Sequence, residues 1–94
     1  MFRPDFIHTD EDWVIWLLGS EFHGHASPQQ ILERTHLDGG QVEEVVRNLE
    51  RIKAVRVVRI PGRFPPENIA TVGLQKTGFS VFEGLKQAND IHDL

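Results

Sequence analysis

The sequence contains no cysteine. That excludes a disulfide framework, a thiolate zinc site and a thiol nucleophile, and it suits a reducing compartment. Long hydrophobic runs are missing as well. The longest fully apolar stretch, Trp13 to Leu18, has six residues, far short of the roughly 20 needed to span a bilayer. The opening Met1-Phe2-Arg3-Pro4-Asp5 lacks the apolar core of a signal peptide. The expectation is a cytoplasmic protein with no membrane partner. No repeat, low-complexity stretch or linker interrupts the chain, and 94 residues suffice for one compact core but not two. A single domain over residues 1–94 follows.

The motifs of catalysis are absent too. There is no Gly-rich phosphate loop, no nucleophile motif and no convincing pair of carboxylates, so neither an enzyme nor a cofactor is expected. His23-Gly24-His25, with His36 or Asp38 as a third ligand, is the nearest approach to a metal cluster. That spacing is weak without a cysteine or a second paired motif, and no metal site is expected.

An excess of base is lacking overall, since the net charge is −4. Its distribution says more than the total. Residues 1–26 carry −4, with one arginine against five acids, and residues 27–53 carry −1, with four bases against five acids. Residues 54–76 carry +3, from Arg56, Arg59, Arg63 and Lys76 against Glu67, and residues 77–94 carry −2. One stretch of an otherwise acidic chain is basic, which matters when a single element meets a phosphate backbone.

What is present is punctuation. Thr9-Asp10-Glu11-Asp12 reads as a capped helix start, and the helix runs through Trp13–Leu18 to end near Gly19–Phe22. Consecutive apolar residues surround this cylinder, so it lies central in the domain or buries a second face against a partner. His23–Ala26 reads as a loop. Ser27-Pro28-Gln29-Gln30 is a second start: serine caps, proline suits the first helical position and Gln30 closes the capping box. Asp38-Gly39-Gly40-Gln41 repeats that logic. Val42, Val45, Val46, Leu49 and Ile52 then recur at helical spacing, predicting one apolar stripe to about Lys53.

The period changes at Val55-Arg56-Val57-Val58-Arg59-Ile60, which reads as a strand. A turn-rich loop, Pro61 to Asn68, leads to a second strand, Ile69–Leu74. Thr77-Gly78 opens a final helix holding Phe79, Val81, Phe82 and Leu85, with a frayed tail after Gln87 and solvated Asp90, His92 and Asp93.

Three helices, a two-stranded hairpin and a closing helix resemble the winged helix-turn-helix order of MarR-like and PadR-like regulators. The stretch Ser27 to Asp38 resembles a short helix leading through a turn to a recognition helix. Val46 to Val58 resembles the end of that helix and the start of the wing, and Leu74-Gln75-Lys76-Thr77-Gly78-Phe79 resembles the junction after it. The implied fold is α+β, mainly α: a winged helix-turn-helix with a three-helix core, a two-stranded β wing and a C-terminal helix. The helix-turn-helix spans 27–53, the wing 55–74 and the C-terminal helix 77–87.

The resemblance implies a dimeric transcriptional regulator bound to double-stranded DNA, with helix 38–53 in the major groove and the wing on backbone or minor groove. The outward face of that helix carries Gly40, Glu43, Glu44, Arg47 and Arg51. Arg47 can donate bidentately to guanine and Gln41 can pair with adenine. Gly40 permits close approach of a phosphate to the helix N-terminus, and Ser27, the cap of the preceding helix, is a further candidate DNA contact. On the wing, Arg63 suits a phosphate or a narrow minor groove. Arg56 and Arg59, three apart on a strand, are expected on opposite faces, one toward the domain. Trp13, Trp16, Phe79 and Phe82 give the first and last helices a surplus of apolar surface, and a homodimer through them is expected. The competing reading is a winged-helix protein-interaction module, with Glu43 and Glu44 facing a basic protein partner instead of DNA.

Overall fold

The protein is described here by a computed structural model covering residues 3–64 and 68–92. Helix α1 spans Asp10–Ser20, strand β1 His25–Ala26, helix α2 Pro28–Thr35, helix α3 Gly39–Arg51, strand β2 Val55–Arg59, strand β3 Ile69–Leu74 and helix α4 Lys76–His92. Pro65, Pro66 and Glu67 of the expected loop lie outside the described residues, as do Asp93 and the side chains of Asp90 and His92 from the expected tail.

Each helix start is fixed by side chains close in sequence. The Thr9 hydroxyl accepts from the Asp12 N–H at 3.1 Å, and the acids at Asp10, Glu11 and Asp12 sit at the positive end of the α1 dipole. Ser27 and Gln30 form a reciprocal capping box: Ser27 Oγ accepts from the Gln30 N–H at 3.2 Å, and the Ser27 N–H donates to Gln30 Oε1 at 2.9 Å. Asp38 and Gln41 repeat the device at 2.8 and 3.0 Å. These boxes satisfy N–H groups that have no partner within the helix.

The apolar girdle of α1 is satisfied inside one protomer. Val14, Ile15 and Leu18 join the main core with Ile31, Val42, Val45, Val46, Leu49, Val55 and Val72. On the other side of the helix, Trp13 and Leu17 form a second cluster with Ile7, roofed by Phe6 and Trp16. The helix is therefore central, and α4 packs along it. The ring of Phe82 lies where a β-carbon on Gly19 would stand.

Three details depart from the expectations. The sheet has three strands rather than two, in the order β1-β3-β2 and antiparallel throughout. His25 and Ala26, expected in a loop, pair with Gly73 and Val72, and the Leu74 N–H donates to the Gly24 carbonyl at 2.7 Å. Two residues without β-branched character carry no strand pattern. The pairing exists because the free edge of β3 needs partners for its backbone groups. Second, α4 continues past Gln87 to His92. The apolar stripe fades there, but no proline or glycine interrupts the backbone bonding.

Third, Ile52 leaves the apolar stripe of α3. It is the C-cap residue and is 55% exposed, because the chain reverses at Lys53 in the left-handed region, φ +61°. An L-residue in that region carries a steric cost that glycine avoids. Lys53 is exposed, so Lys53→Gly is expected to stabilise the fold by about 0.5–1 kcal/mol. A higher urea midpoint at unchanged slope is the measurement.

Candidate nucleic-acid interface

The α2–turn–α3 unit and the β2–β3 wing share one surface. A cleft of about 440 Å³ separates them, lined by Ser27, Pro28 and Leu32 of α2 and its cap, Gly39 and Val42 of α3, and Ile60, Arg63 and Ile69 of the wing. The N-terminal turns of both helices thus open beside the wing loop. The positive dipole ends of both helices face this surface, although their capping boxes already occupy part of the free N–H groups and Asp38 sets a carboxylate at the α3 cap. Neither the cleft nor its lining is visible in the sequence, because it forms where two elements some thirty residues apart converge.

On α3 the outward face is as expected: Gly40, Gln41, Glu44, Arg47 and Arg51 are exposed and Glu43 is half-buried. Val42, Val45, Val46 and Leu49 face the core. Ser27 and Gln41 are committed to their capping boxes. Gly40 is exposed, and a β-carbon there would press on Asp38 Oδ1 at 3.3 Å. Arg47 Nη2 donates to Glu43 Oε1 at 3.0 Å, with the arginine side chain 70% exposed. An exposed pair of this spacing is worth about 0.3–0.5 kcal/mol. A bidentate guanine contact discriminates by about 1–3 kcal/mol, so the pair does not hold Arg47 back.

Arg51 is tethered differently. Its Nη2 donates to Asn48 Oδ1 at 2.9 Å, and Asn48 Nδ2 donates to Glu11 Oε1 at 3.1 Å. The relay fixes the C-terminal half of α3 against the start of α1. Charge and periodicity do not single out Asn48 or Glu11, whose contact spans 37 positions.

The wing arginines separate into three situations. A β-bulge between Val58 and Arg59 shifts the register, so that Arg59 pairs with Ile69. Arg56 and Arg59 are both exposed, and Arg59 is the one whose guanidinium turns toward the domain, onto α3. The extra residue is Ala70 on β3, so no residue is inserted between Arg56 and Arg59 on β2. Arg59 then grips Glu50 of α3 through two bonds, Nη1 to Oε2 at 2.7 Å and Nη2 to Oε1 at 2.6 Å. Arg56 lines a separate, shallow depression with Lys53 and Gln75, away from the cleft. Arg63 lines the cleft itself, and neither Arg56 nor Arg63 has a side-chain partner among the described residues.

The Arg59 guanidinium lowers the Glu50 carboxyl from its ordinary value, chiefly through its hydrogen bonds; burial opposes this as the next largest effect, and the arginine's charge adds a smaller lowering. A carboxyl lowered in the folded state contributes stability that is present above its ordinary value and is lost as pH falls through the lowered folded one. The side chains are 49% and 35% exposed, so solvent screening limits the pair to about 1 kcal/mol or less. Glu50→Gln is expected to lower stability by about 0.5 kcal/mol at pH 7. The difference from wild type should shrink as pH falls below the ordinary glutamate range, as urea unfolding at neutral and acid pH can check.

Of the four aromatic residues expected at a dimer interface, Trp13 is 2% exposed and packs in the protomer's own core. It offers no surface to a partner, because the segment ending at Ile7 covers it. Trp16 and Phe82 are half-buried, with ring centroids 5.5 Å apart, and Trp16 also meets Phe6 edge-on at 5.2 Å. Phe79 alone of the four is substantially open, at 47%.

No family model and no curated sequence matches the chain. Comparison of shape is more telling. The Staphylococcus aureus MepR–DNA complex superposes with a TM-score of 0.72 at 20% identity, over 93% of this chain and 60% of MepR. Streptococcus pneumoniae FabT in complex with DNA gives 0.72 at 21% identity, over 92% and 57%. The organohalide-sensing regulator RdhR bound to 2,4-dichlorophenol gives 0.72 at 13%, over 92% and 49%. These neighbours are winged-helix transcriptional regulators of the MarR family. The chain has their winged-helix fold. It spans about half to three-fifths of their length.

Proposed function

We propose that this protein is a transcriptional regulator that binds double-stranded DNA, with α3 in the major groove and the β2–β3 wing against the backbone or minor groove. The observation that carries the reading is the placement of Arg63, a guanidinium without a side-chain partner among the described residues, on the same cleft as the N-terminal turns of α2 and α3. Phosphate neutralisation by such groups is the main affinity term for DNA. Arg47 reads a base edge, Gly40 lets a phosphate approach the α3 N-terminus, and Arg51 supports the backbone contact. Further support is the likeness of fold to MepR and FabT, each solved in complex with DNA. No described helix is long and apolar enough to cross a membrane, and a regulator of this kind works in the cytoplasm.

Two copies would set their α3 helices in successive major grooves about one helical turn apart. The homodimer forms through α4, with Phe79 as the open anchor and Trp16 and Phe82 at its margin. Sedimentation of wild type and Phe79→Ala tests this: dimer for the first and monomer for the second is expected, and monomer for both contradicts it.

Selection from a pool of random duplexes tests the function. Enrichment of a sequence by wild type is expected, with loss of its specificity in Arg47→Ala and weaker binding at every sequence in Arg63→Ala. No enrichment, together with co-purification of a basic protein bound through Glu43 and Glu44, supports the interaction-module reading instead. Glu50→Gln removes an acid and releases Arg59, so its duplex affinity at low salt should rise severalfold over wild type in a fluorescence-anisotropy titration.

A further inference from the structure

Phe64 has no role in the reading above. Its side chain is 87% exposed, the highest among the exposed large hydrophobic residues described, the others being Ile52, Val58 and Phe79 at 47–55%. A scattered surface aliphatic residue needs no explanation. A nearly fully solvated phenyl ring in the wing loop, directly beside an arginine without a side-chain partner among the described residues, calls for one.

The local chain explains its presentation. Gly62 adopts φ +81° in the turn that leaves β2, a conformation glycine reaches without the penalty of a β-carbon. Arg63 follows and lines the cleft facing α2 and α3, whereas Phe64 does not line it. Phe64 precedes a proline in the sequence, which confines it to extended backbone. In extended chain, successive side chains point to opposite sides. Arg63 is therefore turned toward the helix-turn-helix and Phe64 away from it.

We infer that Phe64 is an apolar wedge that enters the minor groove and partly separates two stacked base pairs, while Arg63 holds a flanking phosphate. This rests on the DNA-binding reading and deepens it by naming a specificity-determining residue. A phenyl ring makes no hydrogen bond to a base edge, so its selectivity comes from the cost of opening the step. Pyrimidine–purine steps, TA and CA/TG, kink and unstack most readily. Apolar side chains inserted from the minor groove exploit that property. The surroundings favour DNA over a second protein as the occupant. Pro61, Gly62 and Arg63 are exposed along with the ring, so among the described residues the patch is one aromatic group beside a cation rather than an apolar face.

The test is parallel selection from a random duplex pool by wild type, Phe64→Ala and Phe64→Trp, followed by 2-aminopurine substitution in the enriched duplex. Wild type should enrich a TA or CA/TG step at a fixed distance from the α3 site, preferred about tenfold over a stiff AA step. Aminopurine fluorescence at that step should rise on binding. Phe64→Ala should keep the α3 site and lose both the preference and the rise, and Phe64→Trp should retain them. An unchanged preference and fluorescence rise in Phe64→Ala overturns the wedge and leaves DNA binding standing, whereas failure of wild type to enrich any duplex overturns both. Because Phe64 packs on nothing in the core clusters, all three proteins should melt together, which separates loss of the wedge from loss of fold.

Discussion

Leu49→Ala is expected to destabilise the domain by about 2–5 kcal/mol, the range for deleting a fully buried leucine side chain and leaving a cavity. Leu49 is 0% exposed at the centre of the main core, and its carbonyl accepts from the Ala54 N–H at 2.9 Å where the chain turns from α3 into β2. A domain of this size has about 5–15 kcal/mol to lose. Since each kcal/mol moves the melting temperature of a small domain by roughly 4–8 °C, a fall of at least about 10 °C should appear in a thermal scan. Ile52→Ala provides the contrast. It lies on the same sequence stripe but is 55% exposed, and its effect should stay within about 0.5 kcal/mol. Equal losses at the two positions would mean that α3 is not terminated where the structure places its cap.

Gly78→Ala should also destabilise, against the direction of helix propensity. Alanine is favoured over glycine inside a helix by about 1 kcal/mol. At Gly78, however, a β-carbon would fall inside the van der Waals shell of the Ala54 carbonyl oxygen and stand 2.8 Å from Leu74 Cδ2. The carbonyl is backbone, and it accepts from the Gln75 N–H at 2.9 Å, so it cannot swing aside. Overpacking of this kind costs about 1–3 kcal/mol, and the net effect is loss of stability as α4 is pushed off the sheet. Gly84, two turns further along the same helix, has nothing within 4 Å of its added β-carbon. Gly84→Ala should therefore stabilise by about 0.5–1 kcal/mol. Urea unfolding of both variants gives opposite signs if α4 docks as described, and the same sign if it does not.

These cases mark what the sequence makes legible. Caps are readable because their bonds close within three residues, as for Ser27 with Gln30 and Asp38 with Gln41. The pairing of Glu43 with Arg47 is readable for the same reason. The Thr77-Gly78 junction is readable as a pattern, and the structure supplies its physical cause in the Ala54 carbonyl.

What lies hidden depends on the third dimension. Helical spacing carries Ile52 into the stripe, but the left-handed turn at Lys53 ends the helix before the residue is covered. Alternation assigns Arg56 and Arg59 to opposite faces but does not say which of them meets α3. Glu50 meets Arg59 across nine positions, a distance set by hairpin twist and invisible to any period. Trp13 has the composition of an interface residue and the position of a core one, because Ile7 folds back beneath it. The cleft that places Arg63 beside α3 is of this second kind, and so the strongest support for DNA binding was the least accessible from sequence.

The most direct measurement is the affinity of wild type for a duplex across a range of salt concentrations. If α3 and the wing engage the phosphate backbone, the logarithm of the binding constant should fall linearly with the logarithm of salt, by about 0.9 for each phosphate neutralised. Arg63→Ala should reduce that slope by about one. A binding constant indifferent to salt, or no binding at low salt, would contradict the proposed function.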